Sequence, residues 1–195
     1  MVYLKLIIGC MFSSKTSTLL SEINRYKHIT DKILVVNSIL DKQRQTSEES
    51  SIETHDNKNW PAIMVSNLDE LKTNETYKNK YDYAEIVIID EAQFYSDLHQ
   101  FMRTELFSHT NKKMFIVAGL SGDYKMEPIG DIIKLVPMAD EIQKLYAYCI
   151  YCKDGTLASF TSKLSTCGNT DQILVGKNDI YSPCCRDHFL SFYTN

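Results

Sequence analysis

Hydrophobic positions in the first two-thirds of the chain fall into short runs separated by longer amphipathic stretches. Tyr3 to Ile8, Ile33 to Val36, Ala62 to Val65, Ile86 to Ile89 and Met114 to Ala118 are largely apolar runs of four to six residues. Runs of that length, bounded by glycine or polar residues, predict buried strands. Between them Leu19, Leu20, Ile23 and Tyr26 recur at helical spacing and predict a helix from Lys15 to about Lys27. Further helices are predicted from about Leu68 to Tyr77, and from an Asp97 cap to about Phe107. Asp41 to Asn59 is polar and predicts a loop. Strands alternating with helices over residues 1–144 predict an α/β domain, a mostly parallel sheet with helices on both faces. After Tyr146 the runs shorten and cysteines and turn residues gather, so residues 145–195 predict a small β-rich module.

Composition narrows the function classes. The 195 residues are 44% hydrophobic and 24% charged, which suits one globular domain with a small appendage. The net charge is −4. From Leu145 onward, four bases (Lys153, Lys163, Lys177, Arg186) balance four acids (Asp154, Asp171, Asp179, Asp187). A nucleic-acid-binding module is expected to be basic, so no nucleic-acid partner is expected. No apolar run approaches a membrane span, and the Met1-Val2-Tyr3 start has no basic secretory leader. The expectation is a soluble, cytoplasmic protein with no membrane partner.

Six cysteines are present: Cys10, Cys149, Cys152, Cys167, Cys184 and Cys185. In a reducing compartment, clustered cysteines point to metal rather than disulfides. Cys149-x2-Cys152 and Cys185-x2-His188 form two pairs at ligand spacing, 32 residues apart. Thiolates and an imidazole in close pairs suit a tetrahedral Zn²⁺ site, structural because four protein ligands leave no open position. Buried free thiols are the bland alternative, and Cys184 is an alternative ligand whose register with His188 is wrong.

Two further stretches carry chemistry. Gly9-Cys10-Met11-Phe12-Ser13-Ser14-Lys15-Thr16 follows the first strand and opens the first helix, the context of a phosphate-binding P-loop. Amides at a helix start favour anions, Lys15 would reach the β- and γ-phosphates, and Thr16 would ligate Mg²⁺. Ser14 stands where such loops carry glycine, and a serine at positive φ there is strained by about 1–3 kcal/mol. An incidental lysine at a strand–helix junction remains the alternative on this octapeptide alone. Asp90-Glu91-Ala92-Gln93 ends the most apolar strand, on the sheet edge where open α/β folds bind ligands. Asp90 is placed to hold the hydrated magnesium, and Glu91 to accept a proton from a nucleophile.

The chain resembles the type II thymidine kinases of animals, bacteria and large DNA viruses. The resemblance is collinear over nearly the whole length. It rests on Gly9-x-Met11-Phe12-Ser13-x-Lys15-Thr16, Thr54-His55-Asp56, Asp90-Glu91-Ala92-Gln93-Phe94, Gly119-Leu120-Ser121-Gly122-Asp123-Tyr124, Leu135-Val136-Pro137-Met138-Ala139-Asp140 and both Cys/His pairs. It implies a RecA-like P-loop fold and transfer of the ATP γ-phosphate to the 5′-hydroxyl of thymidine or deoxyuridine, giving dTMP for nucleoside salvage. ATP contacts are implied for Gly9, Cys10, Met11, Phe12, Ser13, Ser14, Lys15, Thr16, Asp56, Asn57, Lys58, Asp90, Ala92 and Gln93. Thr16 and Asp90 match the magnesium positions and Glu91 the proton acceptor. Nucleoside contacts are implied for Met11, Phe94, Leu120, Tyr124, Ile129, Thr161 and Tyr181. A lasso loop carried by the zinc module adds Gln172, Ile173, Leu174, Val175 and Gly176. The resemblance also implies a homotetramer and feedback inhibition by dTTP. Two other readings stay open: a nucleic-acid-dependent P-loop ATPase, because the Asp-Glu box is shared with helicases, and a non-catalytic nucleotide binder on a degenerate scaffold.

Overall fold

The first apolar run forms strand β1 (Tyr3–Gly9), which feeds directly into helix α1 (Lys15–Tyr26). The computed structural model describes residues 2–44, 51–53, 59–110, 112–163 and 180–192. Strand β2 (Ile33–Ser38) follows, then a short hairpin of β3 (Ser51–Glu53) and β4 (Asn59–Pro61), and β5 (Ile63–Val65). Helices α2 (Glu70–Thr73) and α3 (Glu75–Tyr83) precede β6 (Ile86–Ile89), and α4 (Leu98–Leu106) precedes β7 (Met114–Leu120). Strand β8 (Glu141–Leu145) completes a six-stranded sheet ordered β5-β2-β6-β7-β1-β8. Every pairing in it is parallel.

Period-2 alternation splits the strand residues between two faces. Leu4, Leu6, Val36, Val87, Ile89, Phe115 and Val117 pack with Leu71, Tyr81, Leu98, Phe101 and Met102 of α2, α3 and α4. Ile7, Val35, Ile88, Ile116 and Ala118 point the other way and pack against Leu19, Leu20 and Ile23 of α1. The sheet is therefore covered on both faces, as the strand–helix alternation predicts. Among the described residues no helix is long and apolar enough to cross a membrane.

Four local expectations are corrected. The helix predicted from Leu68 to Tyr77 is two helices. Asn74 leaves the helical region at ψ 120, and its side chain accepts the Thr76 N–H, restarting the chain as α3. Asp97 makes no side-chain cap on α4; its Oδ2 instead accepts the Asp69 N–H at 2.9 Å and ties α4 to the approach to α2. The polar stretch from Asp41 to Asn59 is not all loop, since it holds most of a 3₁₀ turn (Ile39–Arg44) and the strand β3. Strand β8 went unpredicted because Glu-Ile-Gln-Lys-Leu is half polar and its first two residues are exposed. As the sheet's edge it pairs on one side only, so burial does not demand an apolar run.

The chain then forms a compact group of two-stranded elements. Strand β9 (Ala147–Tyr148) pairs with β10 (Leu157–Ala158), and β11 (Phe160–Lys163) pairs with β12 (Tyr181–Cys184), both antiparallel. Helix α5 (Arg186–Ser191) closes it.

Candidate active site and metal cluster

The loop after β1 is a tight, strained turn. Phe12 and Ser14 sit at φ 63 and φ 61, the left-handed region that side chains disfavour. Ser14 thus occupies the positive-φ position the sequence points to, and it is exposed. Gly9 is required by packing, because a Cβ there would lie 2.4 Å from Ser13 Oγ and 2.8 Å from the Leu145 carbonyl. The turn is tied from inside: Ser13 Oγ and Lys15 Nζ each donate to the Cys10 carbonyl at 2.8 Å. Lys15 therefore lies folded onto its own loop. Replacing Ser14 by glycine should relieve the backbone strain of about 1–3 kcal/mol, offset in part by glycine's greater freedom in the unfolded chain, for a net gain of about 1 kcal/mol. For a chain of this size that raises Tm by about 2–4 °C in a thermal melt; an unchanged or lowered Tm would show that the turn stores no such strain.

The sheet order brings the acidic pair to this loop. Strands β1 and β6 are separated only by β7. Thr16 Oγ1 donates to Asp90 Oδ2 at 2.9 Å, across 74 positions of sequence. Asp90 Oδ1 accepts the Glu91 N–H at 2.9 Å. Burial, then the neighbouring Glu91 charge, push the Asp90 carboxyl up to about 7. Asp41, held by Asn37 Nδ2 at 3.0 Å, adds to that push and was not singled out from sequence. Between pH 3.8 and about 7 the folded, metal-free protein holds a proton that the unfolded chain releases, so this group makes stability fall as pH rises. Asp90→Asn removes that dependence, and the Tm of the variant should gain on the wild type across this window in magnesium-free, zinc-loaded protein. A Tm difference constant with pH would contradict it.

Glu91 is half-buried, at φ 47, and receives a hydrogen bond from Gln93 Nε2. Ala92 is fully buried, in the same core as Tyr95 and Leu98. Gln93 Oε1 accepts the Leu120 N–H at 3.0 Å, which links the acidic pair to the end of β7. Phe94 and Leu120 are half-buried, whereas Ile129, Thr161 and Tyr181 are buried. The Tyr124 and Tyr181 rings lie 6.3 Å apart. Asp123 was quoted in a motif but given no role by sequence reasoning. Its Oδ1 accepts the Lys125 and Glu127 N–H groups at 2.7 and 2.9 Å, shaping the loop that carries Tyr124. Asp56, Asn57, Lys58, Gln172, Ile173, Leu174, Val175 and Gly176 lie outside the described residues.

The C-terminal module touches the phosphate loop directly. The Met11 N–H donates to Thr161 Oγ1 at 3.1 Å, and Cys10 Sγ lies 3.4 Å from the Ala158 carbonyl. Cys10 and Phe12 share an apolar cluster with Cys149, Ala158, Cys185 and Phe189.

Within that cluster the ligand atoms of Cys149, Cys152, Cys185 and His188 all lie within 4.8 Å of one another. Cys152 Sγ is 3.8 Å from Cys185 Sγ and 3.4 Å from His188 Nδ1. His188 Nδ1 is 3.2 Å from Cys185 Sγ and 3.7 Å from Cys149 Sγ. A tetrahedron with Zn–S of about 2.3 Å and Zn–N of about 2.0 Å has edges of roughly 3.5–3.8 Å, so the donor set fits zinc. Burial works against the Cys149 thiolate, but the N–H groups of Cys185, Cys152 and Tyr151 hold its pKa down to about 6, favouring the ligand form. Tyr151 stacks on the His188 ring at 5.4 Å and fixes its plane. Cys184 stands outside the four; burial pushes its thiol up to about 11. The cluster is compatible with a structural zinc site.

A parallel α/β sheet with a Lys-Thr turn after β1, an Asp-Glu pair after β6 and an appended Cys3His cluster defines a P-loop type of architecture. Comparison with known proteins narrows this. The family model described as thymidine kinase matches residues 2–189. The chain is 38% identical over 191 residues to a thymidine kinase of Amsacta moorei entomopoxvirus, covering 94% of this chain and 95% of that protein. It is 33% identical over 183 residues to the thymidine kinase of Myxoma virus (strain Uriarra), covering 93% of this chain and 92% of that protein. It is 33% identical over 185 residues to a rice (Oryza sativa subsp. japonica) thymidine kinase, covering 94% of this chain but only 65% of the rice protein. The chain belongs to the thymidine kinase family of phosphotransferases.

Proposed function

We propose that the chain transfers the γ-phosphate of ATP to the 5′-hydroxyl of thymidine, and of deoxyuridine, yielding dTMP and ADP for nucleoside salvage. The observation that carries this reading is the Thr16–Asp90 hydrogen bond, which joins the phosphate loop to the acidic pair on the C-terminal edge of the sheet. In the proposed reaction the loop amides and α1 hold the triphosphate, and Lys15 leaves the Cys10 carbonyl for the phosphates. Asp56, Asn57, Lys58 and Ala92 are proposed as further ATP contacts. Thr16 and Asp90 would hold Mg²⁺, which supplies charge neutralisation to the phosphates. Glu91 accepts the proton of the 5′-hydroxyl as its oxygen bonds to the γ-phosphorus and the bond to the ADP oxygen breaks.

Residues 1–144 form the ATP-binding domain in this proposal, and residues 145–195 the module that covers the nucleoside. Phe94, Leu120, Tyr124, Ile129, Thr161 and Tyr181 flank the base. Backbone groups of residues 172–176 pair with its edge, and mispairing with a cytosine edge would discriminate by about 10⁴–10⁵. A cytoplasmic homotetramer inhibited by dTTP completes the proposal. The test is a phosphoryl-transfer assay with ATP and each of the four deoxynucleosides. Product from thymidine and deoxyuridine alone is expected. ATP hydrolysis stimulated by DNA or RNA, without nucleoside monophosphate, would overturn the reading.

A further inference from the structure

Gln93 lies two residues beyond the proposed proton acceptor and is 2% exposed. Both ends of its amide are engaged. Oε1 accepts the Leu120 N–H at 3.0 Å, and Nε2 donates to Oε2 of Glu91. The amide therefore spans from the turn after β6 to the last residue of β7. Its orientation is fixed by chemistry as well as by shape. Leu120 N–H can only donate and an ionised carboxylate can only accept, so a flipped amide would set donor against donor and oxygen against oxygen.

The space around Gln93 is closed by two glycines. A Cβ on Gly119 would lie 2.5 Å from Gln93 Oε1, and one on Gly130 would lie 2.2 Å from the Gln93 main-chain oxygen. Gly130 is also at φ +57, so the loop leading from Tyr124 turns back onto Gln93 where a side chain is barred twice over. Glu91 itself has a backbone that is uncommon for its residue type, at φ 47. A half-buried carboxylate with three side-chain torsions has several rotamers open to it, and a donor that engages one oxygen favours one of them.

We propose that Gln93 is the positioning residue of the proton acceptor. Its amide, held by Leu120 N–H beside Gly119 on a main chain that packs against Gly130, holds the Glu91 carboxylate in the orientation that meets the nucleoside hydroxyl; in place of the ATP contact the resemblance implies for Gln93, its side chain makes no contact with ATP. This rests on the kinase reading above and deepens it.

The experiment compares steady-state kinetics of the zinc-loaded, full-length wild type with Gln93→Leu and Gln93→Glu, each also in a Glu91→Gln background. Leucine removes both amide bonds at similar size. Glutamate keeps an acceptor for Leu120 N–H but turns the donor toward Glu91 into a second acceptor. Both should lower kcat about 10- to 100-fold, the scale of a misplaced catalytic group. KM for ATP and for thymidine should stay within about threefold of wild type. In the Glu91→Gln background the same substitutions should cost less than about threefold more, because residues acting through one group are not additive. A Gln93→Leu that raises KM for ATP tenfold at unchanged kcat would instead make Gln93 an ATP contact and overturn the assignment. An equal kcat loss in both backgrounds would overturn it too, as a general structural effect. Absence of transfer by the wild-type protein would overturn the kinase reading and this assignment with it.

Discussion

Glu91→Gln should bind both substrates and lose most of its turnover. The amide has the carboxylate's shape, so the left-handed turn at φ 47 and the packing around it are retained. In the proposed reaction, what disappears is the capacity to take the proton of the attacking hydroxyl, a contribution of about 10²–10⁴ in kcat. Dissociation constants for ATP and thymidine, read by isothermal titration, should move by no more than a few-fold. Asp90 lies beside it, buried, and accepts from Thr16 Oγ1 and from the Glu91 N–H. The two acids are thus set apart by environment: Asp90 is buried, whereas Glu91 is half-buried and accepts from Gln93 Nε2. A variant retaining near-full kcat would remove Glu91 from the proton-accepting role.

Removal of zinc is expected to have the second large effect. The module's apolar cluster is small, and Cys149 and Cys185 are part of it. Small domains of this kind depend on metal, and structural zinc contributes apparent free energies of about 10–16 kcal/mol in isolated peptides. If about 5 kcal/mol of that is expressed in the whole chain, Tm falls by roughly 10–20 °C. KM for the nucleoside should rise because β11 and β12, which carry Thr161 and Tyr181, hang from the same cluster. KM for ATP should rise as well, because Thr161 accepts the Met11 N–H and Cys10 and Phe12 pack into the module. Chelator treatment or Cys185→Ala, followed by zinc analysis, thermal melts and kinetics, checks all three. Unchanged melting and kinetics after verified metal loss would contradict the structural role.

Much of the fold is legible in local pattern. Ile86 to Ile89 is apolar on both sides because it lies in the middle of a parallel sheet, and such a run has few other solutions. Leu19, Leu20 and Ile23 mark α1 because one face of a helix must meet the sheet. The misses share a cause. Strand β8 is held by Lys5, whose Nζ lies 2.9 Å from Glu141 Oε1, and by its hydrogen bonds to β1, and none of these leaves an apolar trace. The break at Asn74 depends on one polar side chain capping one amide, a choice that helical spacing across Leu68 to Tyr77 hides.

For the site, residue type and spacing alone determined the chemistry on offer: a lysine and a hydroxyl opening a helix after a strand, two carboxylates ending another strand, and two pairs of soft ligands. They also pointed to Ser14 as a strained position, since only a backbone at positive φ favours glycine there. Tertiary structure alone decided which of these groups meet. Strand order, not sequence proximity, places the β1 and β6 turns one strand apart and lets Thr16 reach Asp90. The same order lets Gln93 bridge from Glu91 to Leu120, and the packing of the module puts Thr161 on Met11. The reason is physical. Local sequence specifies the torsions and faces of each element, whereas contacts across many tens of residues arise only when the faces are buried together.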